Sequence, residues 1–117
     1  QKRKKFIDSK LGIIQGIVKN KNIGIVDEAV FTGATLKIAC KLLDDANVNE
    51  IYIFIPSSFC KFRCNYNMRP NRTLLLEYIR EENLTNYFDV NGIFFQNYSA
   101  YSKIMNKASF KCLKCFN

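Results

Sequence analysis

The apolar positions of this chain follow two rhythms, and their alternation predicts an α/β fold. Ile23, Ile25 and Val26 form a short β-branched run after the polar turn Lys19-Asn20-Lys21-Asn22. Such side chains pack well on a pleated surface, and with no polar residue marking a solvent side the run predicts a strand buried on both faces. Leu36, Ala39, Cys40, Leu43 and Ala46 then recur at helical spacing, with Lys37, Lys41, Asp44 and Asp45 turned outward and Asn47 closing the helix. Glu50 to Ile55 returns to an almost unbroken apolar run, Ile-Tyr-Ile-Phe-Ile, ended by Pro56. It too predicts a strand covered on both faces. Strand, helix and strand joined by short turns make a βαβ unit, with a parallel sheet and a right-handed crossover.

Outside this unit the rhythm is less regular. Lys10 to Val18 is apolar but carries two glycines, which predicts a short helix or an irregular packed segment. Ser57 to Asn71 is a long connection. Thr73 to Glu81 predicts a helix burying Leu74, Leu75, Tyr78 and Ile79. Asn83 to Asn91 reads as a helical turn or loop, Gly92 to Phe95 as a short strand, and Ser99 to Lys107 as a last helix with Tyr98, Tyr101, Ile104 and Met105 inward. The basic opening, Gln1 to Lys5, reads as a solvated arm.

At 117 residues and 48% hydrophobic, the chain has material for one modest core. No apolar stretch is long enough to span a bilayer and no signal peptide precedes the first strand, so a soluble, intracellular, cytoplasmic setting is expected, with no membrane partner. A formal charge of +8 suits nucleic acid or a polyanionic small molecule. The aromatics fall largely at core spacings and no nucleic-acid motif is present, so the expectation is a small polyanion and no nucleic acid. Histidine is absent, which excludes Cys-His zinc sites and Ser-His or Cys-His nucleophile pairs.

Candidate chemistry gathers where the first strand meets its helix. Asp27 and Glu28 sit at the strand end, where ionised carboxylates accept hydrogen bonds from sugar hydroxyls or help hold a divalent cation. Thr32, Gly33, Ala34 and Thr35 offer hydroxyls and open backbone N–H groups at a helix N-terminus, which favours an anion such as phosphate. On this reading a β-branched residue at Gly33 blocks the anion and leaves the fold intact. The same residues read equally as an ordinary strand-to-helix turn, with Thr35 as N-cap and two solvated acids. The five cysteines, Cys40, Cys60, Cys64, Cys112 and Cys115, are an odd count. Cys40 lies on the apolar helix stripe. The rest read as thiols or metal ligands, with a disulfide as the alternative.

The order Val26-Asp27-Glu28-Ala29-Val30-Phe31-Thr32-Gly33-Ala34-Thr35 resembles the phosphoribosyl-pyrophosphate (PRPP) signature of type I phosphoribosyltransferases: a hydrophobic strand, two acids, then Thr-Gly-x-Thr. Arg63 to Arg72 with the following leucine-rich segment resembles the Cys-aromatic-Tyr-Gly-Ile-Asp...Pro-Thr-Arg-Glu-Glu-Leu segment of glutamine amidophosphoribosyltransferases. Glu82 to Phe95 and the terminal Phe110-Lys111-Cys112-Leu113-Lys114-Cys115-Phe116 resemble later stretches of the same family. Gln1, Arg3 and Lys10-Leu11 resemble its mobile PRPP-closing loop. Asn67, Arg69, Ala29 and Thr32 depart from the family pattern.

The resemblance, to the C-terminal part of the transferase domain, implies a truncated parallel-sheet α/β domain: a PRPP-loop βαβ unit over 1–56 and a helical C-terminal extension over 57–117. It implies PRPP binding by Lys10, by Asp27 and Glu28 at the ribose, and by Thr32, Gly33, Ala34 and Thr35 at the 5-phosphate, with magnesium accompanying PRPP. No catalytic residue is assigned. The implied reaction forms phosphoribosylamine from PRPP in purine biosynthesis, and the implied partner is a second copy or another subunit. The alternative is a non-catalytic phosphate- or partner-binding remnant. Cys64, Cys112 and Cys115 match three iron-sulfur ligands. The family's fourth lies upstream of anything in this sequence, and Cys60 is a possible replacement. Lys61, Arg63, Lys111 and Lys114 are expected to lower the thiol pKa values.

Overall fold

The computed structural model of the chain describes residues 15–64, 72–109 and 112–116. Their order is α1 (Gln15–Val18), β1 (Asn22–Val26), α2 (Ala34–Asp45), β2 (Glu50–Ile55), α3 (Leu84–Phe88), β3 (Gly92–Phe95) and α4 (Tyr98–Lys107), with 3-10 turns at Leu75–Glu77, Glu81–Asn83 and Lys114–Phe116. The three strands form one parallel sheet in the order β1-β2-β3. The α/β class and parallel pairing expected from the two rhythms are therefore present.

The register explains how the sheet is dressed. Ile25 pairs with Ile53 and Ile53 with Ile93, while Val26 pairs with Phe54 and Phe54 with Phe94. Because side chains alternate across a sheet, these rows lie on opposite faces. The isoleucine face is the core. Ile51, Ile53 and Ile55 are buried there with Leu36, Cys40 and Leu43 of α2, Leu75, and Leu84 and Phe88 of α3. The outer face is open: Val26 is 75% exposed, Phe54 44% and Phe94 53%. Phe54 and Phe94 stack with ring centroids 5.3 Å apart. Strands covered on both faces were expected, and among the described residues only one face is covered. Alternate positions on both faces are apolar, so the run itself does not tell which face is packed.

Helix α2 carries out its pattern, burying Leu36, Cys40 and Leu43 and exposing Lys37, Lys41, Asp44 and Asp45. Asn47 takes a left-handed φ of 57° just beyond its end. Its carbonyl accepts from Asn20 N–H at 2.9 Å, joining the turn before β1 to the turn before β2.

Two expectations in the second half are corrected. Thr73 to Glu81 is not one helix. Leu74 and Arg80 are extended, with ψ of 148° and 149°, and only the Leu75–Glu77 turn lies between them. The Leu75 amide is bound to the Phe31 carbonyl at 2.7 Å, which fixes this segment against the β1–α2 loop. Leu74 and Leu75 are buried as expected, but Tyr78 is 55% exposed. Helix α4 forms, yet none of its residues is buried and Ile104 is 57% exposed. Its start is capped as helices prefer, the Asn97 side chain accepting from Ala100 N–H at 2.8 Å.

Candidate functional site

Parallel strands present their carboxyl ends on one side, where α/β sheets bind ligands. Asp27 follows β1 there, and its amide still pairs with the Phe54 carbonyl at 3.3 Å. The chain from 27 to 36 then lines a cleft of about 470 Å³, to which Arg72 and Leu74 also contribute. Asp27, Glu28, Thr32, Gly33, Ala34 and Thr35 all line it. Lys10, the remaining residue assigned to PRPP, lies outside the described residues, as do the first five residues and the segment 65–71.

Gly33 sets the shape of the loop. It is buried and left-handed, with φ 71° and ψ −1°, and it is the N-cap of α2; Thr35 is inside the helix instead. The first α2 hydrogen bond runs from Lys37 N–H to the Gly33 carbonyl at 2.9 Å. A Cβ at Gly33 would meet Phe88 at 3.0 Å and Leu75 at 3.1 Å, so a larger residue there presses into the core. The expectation that the fold tolerates valine at Gly33 is thereby corrected: the vacant position faces Phe88 and Leu75, away from the solvent side where an anion approaches.

No acidic residue occupies the first turn of α2, and its N-cap supplies no side-chain acceptor. The opening N–H groups are left for another acceptor. Thr32 contributes only a long contact, its hydroxyl oxygen accepting from Ala34 N–H at 3.4 Å. Asp27 is half-buried, with one carboxylate oxygen accepting from Glu28 N–H at 3.0 Å. Burial, and then the neighbouring Glu28 side chain, raise its pKa above the ordinary aspartate value. An acid so placed gains by meeting a cation or hydroxyl donors. Two adjacent carboxylates beside an N–H-rich loop form an amphoteric cleft that suits a ligand with hydroxyls at one end and a phosphate at the other.

Lys37, on the first turn of α2, is engaged elsewhere. Its ammonium donates to the Tyr87 carbonyl at 3.0 Å and sits 3.7 Å from the centre of the Tyr87 ring. Among the cleft residues that the sequence alone did not assign, Arg72 is the charged one. Its signals were a basic residue just after the long connection and its place at the end of the Arg63–Arg72 segment that resembles the family, neither of which gives it a binding role.

The terminal cysteines return to the loop after β2. The Cys115 carbonyl accepts from Lys61 N–H at 2.7 Å and Phe62 N–H at 3.1 Å. The Cys64 side chain neighbours Cys115 and adds to the upward push that burial gives the Cys115 thiol. Arg63 of this loop is held by a two-pronged ion pair with Glu77. Among the described residues, however, no group of three or more His, Cys, Asp or Glu is arranged to hold a metal ion. The set Cys64, Cys112 and Cys115, with or without Cys60, does not form a metal cage there.

The expected lowering of thiol pKa values is also corrected where a shift is resolved. Burial pushes Cys60 up to about 11, with Cys115 and Cys64 adding to it, and burial likewise raises Cys115. Cys40 is raised to about 11, chiefly by burial. With Cys40 2% and Cys60 4% exposed, native alkylation at pH 8 is expected to modify Cys64, Cys112 and Cys115 first. Cys40 and Cys60 should react only on unfolding. Mass mapping of labelled peptides checks this, and early labelling of Cys60 would contradict the packing described.

No protein-family model matches the chain. It is similar to amidophosphoribosyltransferases of Staphylococcus aureus, at 28% identity over 102 residues, covering 78% of this chain and 20% of the relative. The Staphylococcus epidermidis amidophosphoribosyltransferase is 31% identical over 71 residues, covering 61% of this chain and 14% of the relative. Among solved structures it is similar to the glutamine PRPP amidotransferase from B. subtilis complexed with ADP and GMP, with a TM-score of 0.79, 20% identity, and coverage of 89% of this chain and 24% of that one. A second structure, of the allosteric regulatory enzyme of purine biosynthesis, also gives a TM-score of 0.79, at 19% identity. The resemblance to the C-terminal part of the amidophosphoribosyltransferase transferase domain is thus borne out, and the fold is that of these neighbours. The chain spans about a fifth of the length of the curated relatives it matches.

Among the described residues no helix is long and apolar enough to cross a membrane.

Proposed function

We propose that this chain supplies the ribose- and phosphate-binding part of a phosphoribosyltransferase of the amidophosphoribosyltransferase kind, acting on PRPP in purine biosynthesis. The observation that carries the reading is the convergence of Asp27, Glu28 and the Thr32–Thr35 loop on one cleft at the carboxyl end of a parallel sheet. In this reading the two carboxylates accept from the ribose hydroxyls, and the first N–H groups of α2 hold the 5-phosphate. Magnesium, carried in with PRPP, would be held partly by the same acids and would neutralise charge on the departing pyrophosphate.

Ammonia displacing pyrophosphate at the anomeric carbon gives 5-phosphoribosylamine. The protein's share is positioning and electrostatic support, which needs no nucleophilic side chain. Lys10 is assigned to PRPP by resemblance to the family's mobile loop. The division into a PRPP-loop unit over 1–56 and an extension over 57–117 is part of the same proposal, as is a cytoplasmic setting.

The second reading is a non-catalytic module that binds phosphates or a partner subunit. The open Val26, Phe54 and Phe94 row favours it. Burying one such side chain contributes roughly 1.5–3 kcal/mol, so the face is expected to associate with a second copy or another chain. Sedimentation at rising concentration should show self-association that Phe94→Lys weakens. A monomer at all concentrations would count against association with itself.

Titration with PRPP and magnesium, followed by an ammonia-dependent assay, separates the two readings. Binding with turnover supports the transferase, binding without turnover supports the module, and absence of PRPP binding overturns the phosphate site in both.

A further inference from the structure

The cleft has an unbalanced charge if it takes a phosphate. A phosphomonoester is largely dianionic at neutral pH, whereas a helix N-terminus offers only about half a positive charge. Asp27 and Glu28 line the same cleft and repel the anion. A cationic side chain at the phosphate end would offset this imbalance. Lys37 is nearest in sequence, but it is bound to Tyr87 through both its carbonyl and its ring. Among the described residues lining the cleft, Arg72 is the one basic side chain.

Arg72 is also positioned rather than merely near. Two residues on, Leu74 is 4% exposed and itself lines the cleft. Three residues on, Leu75 is 1% exposed and donates its N–H to the carbonyl of Phe31, inside the cleft's own loop, at 2.7 Å. A backbone fixed at two buried leucines and one hydrogen bond holds Arg72 at the cleft that Thr32–Thr35 also line. Arg72 itself is exposed. A planar fork of N–H donors matches two phosphate oxygens at once, which the point charge of lysine does not.

We propose that Arg72 is the cationic ligand of the phosphate held by the Thr32–Thr35 loop, adding a charged fork to the N–H groups of the helix N-terminus when a sugar phosphomonoester binds. This deepens the phosphoribosyl reading and rests on it.

The test uses the full chain and ribose 5-phosphate without magnesium, so that the acids' cation does not enter, with calorimetric titration at several salt concentrations. Arg72→Gln is expected to weaken binding about tenfold or more and to flatten its salt dependence. Arg72→Lys should recover part of the affinity, and Arg80→Gln, at an exposed residue outside the cleft, should bind as the parent does. Thermal melting checks that all three are folded. The second probe is Ala34→Asp, which puts a carboxylate at the first position of α2, where an acid favours the helix and repels the anion. If Ala34→Asp abolishes binding while Arg72→Gln binds within twofold of the parent, the phosphate site stands and the role of Arg72 is overturned. If the parent does not bind ribose 5-phosphate, the phosphoribosyl reading falls and Arg72's role with it.

Discussion

Changing Asp27 to Asn and Glu28 to Gln together is expected to cut magnesium-dependent PRPP binding about 100-fold while sparing inorganic phosphate. Loss of two charge-assisted acceptors at about 1.5–3 kcal/mol each supports at least that factor. Phosphate alone needs no acceptor for hydroxyls, and removal of two negative charges from the cleft should strengthen its binding slightly. Parallel titrations of the two ligands check this. Equal losses for both would mean that the acids act only through the fold or the general field.

The pH dependence follows from the raised pKa of Asp27, which burial causes first and Glu28 reinforces. As pH falls, Asp27 takes up its proton before an ordinary aspartate would, so magnesium-dependent binding should fade at a correspondingly higher pH. The sign for stability is opposite. A carboxyl whose folded pKa lies above its unfolded value binds more protons in the folded state, and stability falls as pH rises through that window. Asp27→Asn should therefore melt no lower than the parent at neutral pH, and somewhat higher if the cleft is empty.

Gly33→Val has the largest expected effect on stability. A left-handed φ costs a residue with a Cβ about 1–2 kcal/mol, and pressing side-chain atoms into Phe88 and Leu75 costs typically about 1–3 kcal/mol more. Their sum, about 2–5 kcal/mol, is a large part of the stability of a domain this size. Urea unfolding should show a much lower midpoint or an unfolded protein. An unchanged midpoint would mean that the loop is not left-handed at this position. Because the fold itself is damaged, Gly33 is a poor probe of phosphate contact, and the exposed Ala34 is the better one.

Periodicity made most of the architecture legible. Helix α2 declared itself through Leu36, Cys40 and Leu43, and the strands through Ile51, Ile53, Ile55 and the run at Gly92 to Phe95. Which face of the sheet is covered was not legible, because Val26, Phe54 and Phe94 are as apolar as their buried neighbours. Exposure depends on whether another element arrives. The Leu74-Leu75-Leu76 run suggested a helix, but a tertiary hydrogen bond to Phe31 and the extended Leu74 and Arg80 override that local preference. In the cleft, the acids and the small-residue loop were legible from their order along the nine consecutive positions Asp27 to Thr35. Arg72 joins them from about forty residues away, and only the folded chain brings it there. The inward direction of the missing Cβ at Gly33 likewise depends on Phe88 and Leu75, which no local pattern near Gly33 announces.

Among the described residues the sheet contains no hairpin: β1 pairs with β2 across a helix, and β2 with β3 across a much longer excursion. Every strand pairing must therefore wait for a distant part of the chain, and loop-closure entropy is spent before any ladder bond forms. During synthesis, Ile51, Ile53 and Ile55 leave the ribosome long before Gly92 to Phe95 arrive to complete the central strand. For that interval the most apolar segment of the protein can pair with β1 on one edge only, and its other edge is prone to capture by a chaperone or by a second nascent chain.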